Sequence, residues 1–357
     1  MNKLKISVLT ALLVSGLNGY EIDKNQEVTG FAKIHGETQR VSNKADDSKS
    51  EAGFSMLSVG LGYSYKLDNL KLNAEGIANF KISEKNDDDY DDDADKFGVR
   101  QLNIGYTTDN FEAIIGRQEI DLEWIGDYHN ALFTTTKLNE TSIQAGISLG
   151  SIGLDDDAPL GKYERIKDKD EENSFLYFID ASYEKDNLTF NPYLFGVKDS
   201  FTGYGIKAEG KLNNFSLMAH YAGSSEKNEE IKDGSIYNVE AGFESVVNLK
   251  VGYIKASKDG IGSLDKYGDN INPLEEGNQV YQADAKTWYL GVEKEIDKLA
   301  LGAMYGNSKT DSLTEKEINF NAVYAINDNI EFEFIYSHTD NDDEKTNNFK
   351  GNLSYSF

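Results

Sequence analysis

The chain has 357 residues, 62 acidic against 36 basic side chains for a net charge of −26, no cysteine, 3 prolines, 32 glycines, 21 tyrosines and 18 phenylalanines. So acidic a surface excludes nucleic acid as a partner, because a phosphate backbone needs a basic one. The absence of cysteine excludes disulfides, thiolate metal sites and cysteine nucleophiles, while the aromatic-rich, proline-poor composition suits many strands joined by turns.

Residues 1–19 read as a Sec-type signal peptide. Lys3 and Lys5 form a basic start, Ile6 to Leu17 a mostly apolar stretch, and Asn18-Gly19 leads into the acidic Tyr20-Glu21-Ile22-Asp23. The apolar run is short of the ~20 residues that a membrane-spanning helix needs. Residues 20–357 then form one unit with no plug and no second domain. Their negative mean hydropathy does not exclude a membrane, because a transmembrane barrel averages a lipid-facing apolar row with a wet interior row.

Period two marks the strands. Leu57, Val59, Leu61, Tyr63 and Tyr65 alternate with Ser58, Gly60, Gly62 and Ser64, and the pattern recurs at Leu299-Leu301-Ala303-Tyr305, Ile318-Phe320-Ala322-Tyr324 and Ile330-Phe332-Phe334-Tyr336. It ends in Phe349, Gly351, Leu353, Tyr355 and Phe357 against Lys350, Asn352, Ser354 and Ser356. That last run has the length of about ten residues that crosses a bilayer as a tilted strand. The assignment is 28–39, 54–66, 70–82, 97–107, 111–118, 131–137, 141–150, 174–184, 188–197, 203–211, 215–223, 235–245, 248–255, 284–295, 298–307, 316–326, 329–338 and 347–357.

Every second junction is a tight turn, as in Leu67-Asp68-Asn69, Leu138-Asn139-Glu140, Lys185-Asp186-Asn187 and Leu212-Asn213-Asn214. Asp and Asn tolerate the left-handed backbone such turns require. The intervening junctions are expected to be almost all long and charged, notably 83–96, 151–173 and 256–283, with 85–95 and 258–275 reachable from outside. This alternation predicts an all-β fold: a transmembrane antiparallel up-and-down β-barrel of about 18 strands, 16 being the alternative, with periplasmic turns and extracellular loops.

Two outer segments stand apart. Asp87-Asp88-Asp89-Tyr90-Asp91-Asp92-Asp93-Ala94-Asp95 reads as a solvated loop that lacks the glycine and terminal glutamate of an EF-hand. Segment 118–131 interleaves Ile120, Leu122, Trp124 and Ile125 with Glu119, Asp121, Glu123 and Asp127. An exposed loop would waste those apolar residues; one folded against the inner wall buries them and turns the four carboxylates toward a pore constriction.

The rows opposite the apolar ones carry Lys71, Glu75, Lys81, Asp180, Glu184, Lys207, Glu209, Lys211, Glu240, Glu244, Lys250, Glu293, Glu331, Glu333 and Lys350. Charges facing lipid cost up to a few kcal/mol each near the midplane, so the interior must be wet. Eighteen strands are also too wide a ring to fill with side chains. Arg117, Lys207, Glu209, Lys211, Glu240, Lys250, Glu331 and Glu333 are therefore expected on the pore wall. Arg100 shares parity with Leu102 and Ile104, which points it outward unless a bulge intervenes.

No enzyme emerges: His35, His129, His220 and His338 are scattered, and HExxH, P-loop and Rossmann patterns are absent. The chain resembles the OprD-like (Opr family) outer-membrane porins of epsilon-class bacteria. The resemblance is carried by Gly116-Arg117-Gln118-Glu119-Ile120-Asp121-Leu122-Glu123-Trp124-Ile125-Gly126-Asp127, Asp233-Gly234-Ser235-Ile236, and Asn272-Pro273-Leu274-Glu275-Glu276-Gly277-Asn278-Gln279-Val280-Tyr281. Leu353-Ser354-Tyr355-Ser356-Phe357 is similar to the terminal strand whose last aromatic serves as the barrel-assembly signal.

The resemblance implies outer-membrane lipid around the barrel, passive passage of small hydrophilic solutes and ions, no cofactor, and a homotrimer or a monomer. It also implies a lumen ladder of arginines that guides carboxylates. With Arg40, Arg100, Arg117 and Arg165 alone, this chain departs from that feature, and its acidic lumen predicts a weak cation preference instead. The alternative function is a structural or adhesive surface barrel whose acidic loops bind partners or cations.

Overall fold

The computed structural model describes residues 20–357; the expected signal peptide, 1–19, lies outside them. Eighteen long strands form the wall. They are β1 (Gln26–Asn43), β2 (Lys49–Leu67), β3 (Leu70–Glu84), β4 (Phe97–Thr107), β5 (Phe111–Glu119), β6 (Tyr128–Leu138), β7 (Thr141–Ile152), β8 (Leu176–Lys185) and β9 (Leu188–Val197). The second half comprises β10 (Phe201–Leu212), β11 (Phe215–Glu226), β12 (Ser235–Phe243), β13 (Asn248–Ala256), β14 (Lys286–Ile296), β15 (Leu299–Lys309), β16 (Thr314–Asn327), β17 (Ile330–Asp340) and β18 (Glu344–Ser356). Two short pieces, Tyr20–Asp23 and Glu164–Arg165, extend the sheet beside β1 and β7.

Each strand pairs antiparallel with the next, and β1 pairs with β18 from Phe31↔Ser356 to Asn43↔Glu344, which closes the ring. The Phe357 amide and carbonyl each bond Gly30 at 3.0 Å, completing the seam. Asp68, Asn139, Asp186, Asn213 and Asp297 adopt φ between 51° and 55° at the tight turns, the left-handed backbone those residue types accept.

The outward rows are apolar and exposed, as at Leu61, Leu102, Ile115, Leu217, Leu290 and Phe332. Inward rows are polar and buried, as at His35, Asn79, Asn103, Asn238, Asn319 and Asn352. The expected strand count holds, but several strands run on beyond the assigned ends. β1 and β2 span 18 and 19 residues, because the backbone ladder continues after the apolar alternation stops. As a result the outer connections at 44–48, 198–200, 310–313 and 341–343 are short, not long as expected.

The buried apolar side chains lie within the barrel, where loops 120–127, 153–175 and 257–285 pack against the inner wall. The largest cluster joins Ile120, Trp124 and Ile125 to Phe178, Tyr193, Ile254, Leu264, Leu274 and Val280. A smaller one joins Leu154 and Leu160 to Ile77 and Ile152, with Phe31 and Tyr128 against it.

Candidate pore constriction

Loop 120–127 is a compact fold-back. Ile120 N–H donates to the Asp127 carbonyl at 3.0 Å and Leu122 N–H to that of Ile125 at 2.8 Å, while Asp127 turns the chain back at φ 71°. The fold-back separates its two chemistries. Ile120, Trp124 and Ile125 are no more than 2% exposed, whereas Asp121 and Asp127 are exposed to the lumen. Trp124 Nε1–H donates to the Tyr193 hydroxyl of β9 at 2.7 Å, and that hydroxyl lies 2.7 Å from His220 Nε2 of β11. Glu123 is 3.1 Å from Lys207 of β10, which also meets Glu209 at 3.4 Å.

Loop 257–285 meets the first loop from the other side. Gly126 N–H donates to the Tyr267 carbonyl at 2.7 Å, and Asn270 Nδ2 donates to that of Leu122 at 3.0 Å. The loop is anchored by Leu274, whose side chain fills the place a Cβ on Gly306 of β15 would take. Glu317 of β16 accepts the N–H groups of Glu276 and Gly277 at 2.9 Å each. Glu275 pairs with Lys350 at 2.7 Å, and Glu276 Oε1 accepts from Ser337 and Asn348 at 2.8 and 2.6 Å. Burial pushes the Glu275 carboxyl above its ordinary range and outweighs Lys350. Burial likewise raises Asp269, against the hydrogen bonds it accepts from the Tyr281 hydroxyl and the backbone.

Beside the two loops runs a cavity of about 1220 Å³. Its lining holds twelve carboxylates (Glu119, Asp121, Glu123, Asp127, Asp155, Asp180, Glu209, Glu240, Glu244, Asp265, Asp269 and Glu293) against Lys207, Lys250 and Lys266, with no arginine. The net negative sign survives pairing, since Lys207 and Lys250 already face Glu123 and Glu293. A passage so lined concentrates counter-cations.

The structure thus brings together Glu119, Asp121, Glu123, Asp127, Lys207, Glu209, Glu240 and Lys250 around one cavity. Lys211 stands next to it through a 2.7 Å pair with Glu244. Glu331 and Glu333 face inward elsewhere, near Lys33 and Asn352. Arg117, expected on the pore wall, is on the outward row instead, paired opposite Leu102 and Asn130. Regular alternation from Ile115 carries it there, where it bonds Asn130 at 2.9 Å and covers the Tyr163 ring.

Arg100 makes the opposite move. The ladder pairs Glu75 with Gln101 and Gly76 with Val99, leaving Arg100 as the extra residue of a bulge. The bulge swings it inward onto Glu75 at 3.4 Å, the Leu154 carbonyl at 3.0 Å and the rings of Phe31 and Tyr128. Lys33, 2.9 Å from Asp156 and 3.6 Å from Asp157, was recoverable from the alternation of β1. Loop 257–285, expected outside, folds inside; its signal was Ile261, Leu264, Ile271, Leu274 and Val280 within a charged segment.

A family model described as Gram-negative porin matches residues 10–344. Among solved structures, OccAB4 of Acinetobacter baumannii superposes with a TM-score of 0.72 at 13% identity over 94% of this chain and 99% of that one. OccK8 (OprE) of Pseudomonas aeruginosa gives 0.72 at 13% over 92% and 98%. OpdK of Pseudomonas aeruginosa, solved with vanillate, gives 0.72 at 12% over 92% and 98%. At these identities the likeness is one of fold. No curated protein matches the sequence.

Proposed function

The chain belongs to the Gram-negative porins, non-enzymatic channels of the outer membrane, and on that footing we propose that it passes small hydrophilic solutes and ions with a modest preference for cations. The observation that carries the preference is the lining itself, twelve carboxylates against three lysines beside the two infolded loops. In a narrow, low-dielectric passage their fields add and admit cations ahead of anions. The preference is modest because Lys207 and Lys250 offset part of the charge and because salt shortens its reach, to about 10 Å at 0.1 M.

Glu119, Asp121, Glu123 and Asp127 supply the constriction charge in this reading, with the wall lysines trimming it. The test is the zero-current potential of single barrels in a planar bilayer under a KCl gradient. The combined Glu119→Gln, Asp121→Asn, Glu123→Gln, Asp127→Asn variant is expected to shift it toward anions. Retention of both conductance and zero-current potential by that variant would remove loop 120–127 from the selectivity-setting passage.

A further inference from the structure

We infer that the outer rim of the barrel carries a binding ledge for the phosphate-bearing glycolipid headgroups of the outer leaflet, built from Lys255, Lys286, Lys309 and Lys316. The register sets Lys255 of β13 opposite Lys286 of β14, and Lys286 opposite Lys309 of β15. Lys316 of β16 stands one row lower, opposite Asn307. The same rows expose Val251, Trp288, Leu290 and Ile318 to the lipid side, so period two places all four ammonium groups outside the barrel. Neighbouring strands lie about 4.8 Å apart, which gathers the first three lysines within about 10 Å.

Like charges set directly opposite one another repel, and a chain of net charge −26 has carboxylates in excess to separate them. Several rim cations are so neutralised: Arg40 lies 3.0 Å from Glu51, Lys44 and Lys345 lie 2.6 and 3.2 Å from Asp340, and Lys227 lies 3.5 Å from Asp199. On the ledge, Lys286 meets Asp284 at 3.0 Å, while Lys255, Lys309 and Lys316 form no ion pair among the described residues. Asp340 of β17 stands opposite Lys316 in the register, so it is Lys255 and Lys309, flanking the Lys286–Asp284 pair, that present uncompensated positive charge to whatever lies outside.

Its height identifies that occupant. In the same rows and just toward the membrane, Tyr237, opposite Lys255, packs on Tyr253 at 6.2 Å and Trp288 on Tyr305 at 5.2 Å, aromatic pairs of the kind that sit at headgroup level. The lysines occupy the loop end of the strands, which faces the outer leaflet. Lysine ammoniums at that level meet the phosphates of a lipid A headgroup, and their attraction falls off within a Debye length.

The test titrates the full barrel in detergent with fluorescent bis-phosphorylated lipid A. The Lys255→Gln, Lys286→Gln, Lys309→Gln variant is expected to bind about 100-fold more weakly, roughly fivefold per lysine, while Lys227→Gln and the triple arginine variant bind as the parent does. Loss of affinity for dephosphorylated lipid A by the unmodified protein supports the ledge without any variant. Equal affinity of the triple glutamine variant, confirmed as folded by its heat-modifiable migration, overturns it. Competition by inorganic phosphate at lipid-like concentrations overturns the lipid occupant in favour of a free anion. A change of oligomeric state with unchanged lipid A affinity makes the rim a contact between copies and ends the proposal.

Discussion

Glu317 holds a whole loop through one carboxylate, accepting the amides of Glu276 and Gly277 and the side chain of Asn319 at 2.9, 2.9 and 2.8 Å. Truncation to alanine leaves those buried donors without acceptors, at about 1–3 kcal/mol each. Glu317→Ala is therefore expected to release loop 257–285 from the wall, raising single-channel conductance, adding flicker and opening Lys266 to trypsin. Glu317→Gln keeps one acceptor oxygen and should fall between. Unchanged conductance together with an unchanged digestion pattern would show that the apolar anchors alone hold the loop. Single residues were also where reading the sequence failed most sharply. Arg100 leaves its expected side because parity assumes an unbroken ladder and one extra residue there breaks it, whereas Arg117 lies outward because the ladder from Ile115 is regular.

The strands were legible because a wall with lipid on one side and water on the other forces period two on every segment. The turns were legible too, since Asp and Asn mark the left-handed positions. The loops were only half legible. Ile120 and Trp124 betrayed the inward fold of 120–127, and Ile261, Leu264 and Leu274 that of 257–285, but the two loops lie over a hundred residues apart and nothing local in either named the other as its partner. The acids of the site were found on the strands by parity and in 120–127 by their interleaving with apolar residues; Asp265 and Asp269 were missed because loop 257–285 was expected outside the barrel. At the last element, the ladder runs to the end residue, with Phe357 bonded twice to Gly30. Deleting Phe357 removes that final rung, so assembly into the membrane is expected to fall, measured as the fraction of heat-modifiable barrel. An undiminished fraction would relieve Phe357 of any part in assembly.

At the scale of the molecule, the long outer segments divide into those that face the outside and those that fill the lumen. The chain has no cysteine, so single substitutions can be labelled cleanly with a bulky, impermeant maleimide on intact cells. Asp88→Cys and Lys258→Cys should react, the latter because the Lys258 side chain is 87% exposed. Leu274→Cys, buried at 1%, should not, nor should Asn69→Cys at a periplasmic turn. Reaction at Asn69→Cys would invert the topology, and reaction at Leu274→Cys would put loop 257–285 outside. The pairing of β1 with β18 joins the first and last of the eighteen long strands of the described residues. Every chain cut short before β18 is accordingly an open sheet with two bare edges, each a template for the wrong partner. Only the complete chain hides both. Completeness is thus written into the shape, and a protease or chaperone that grasps unpaired strand edges can sort finished molecules from truncated ones without reading any sequence.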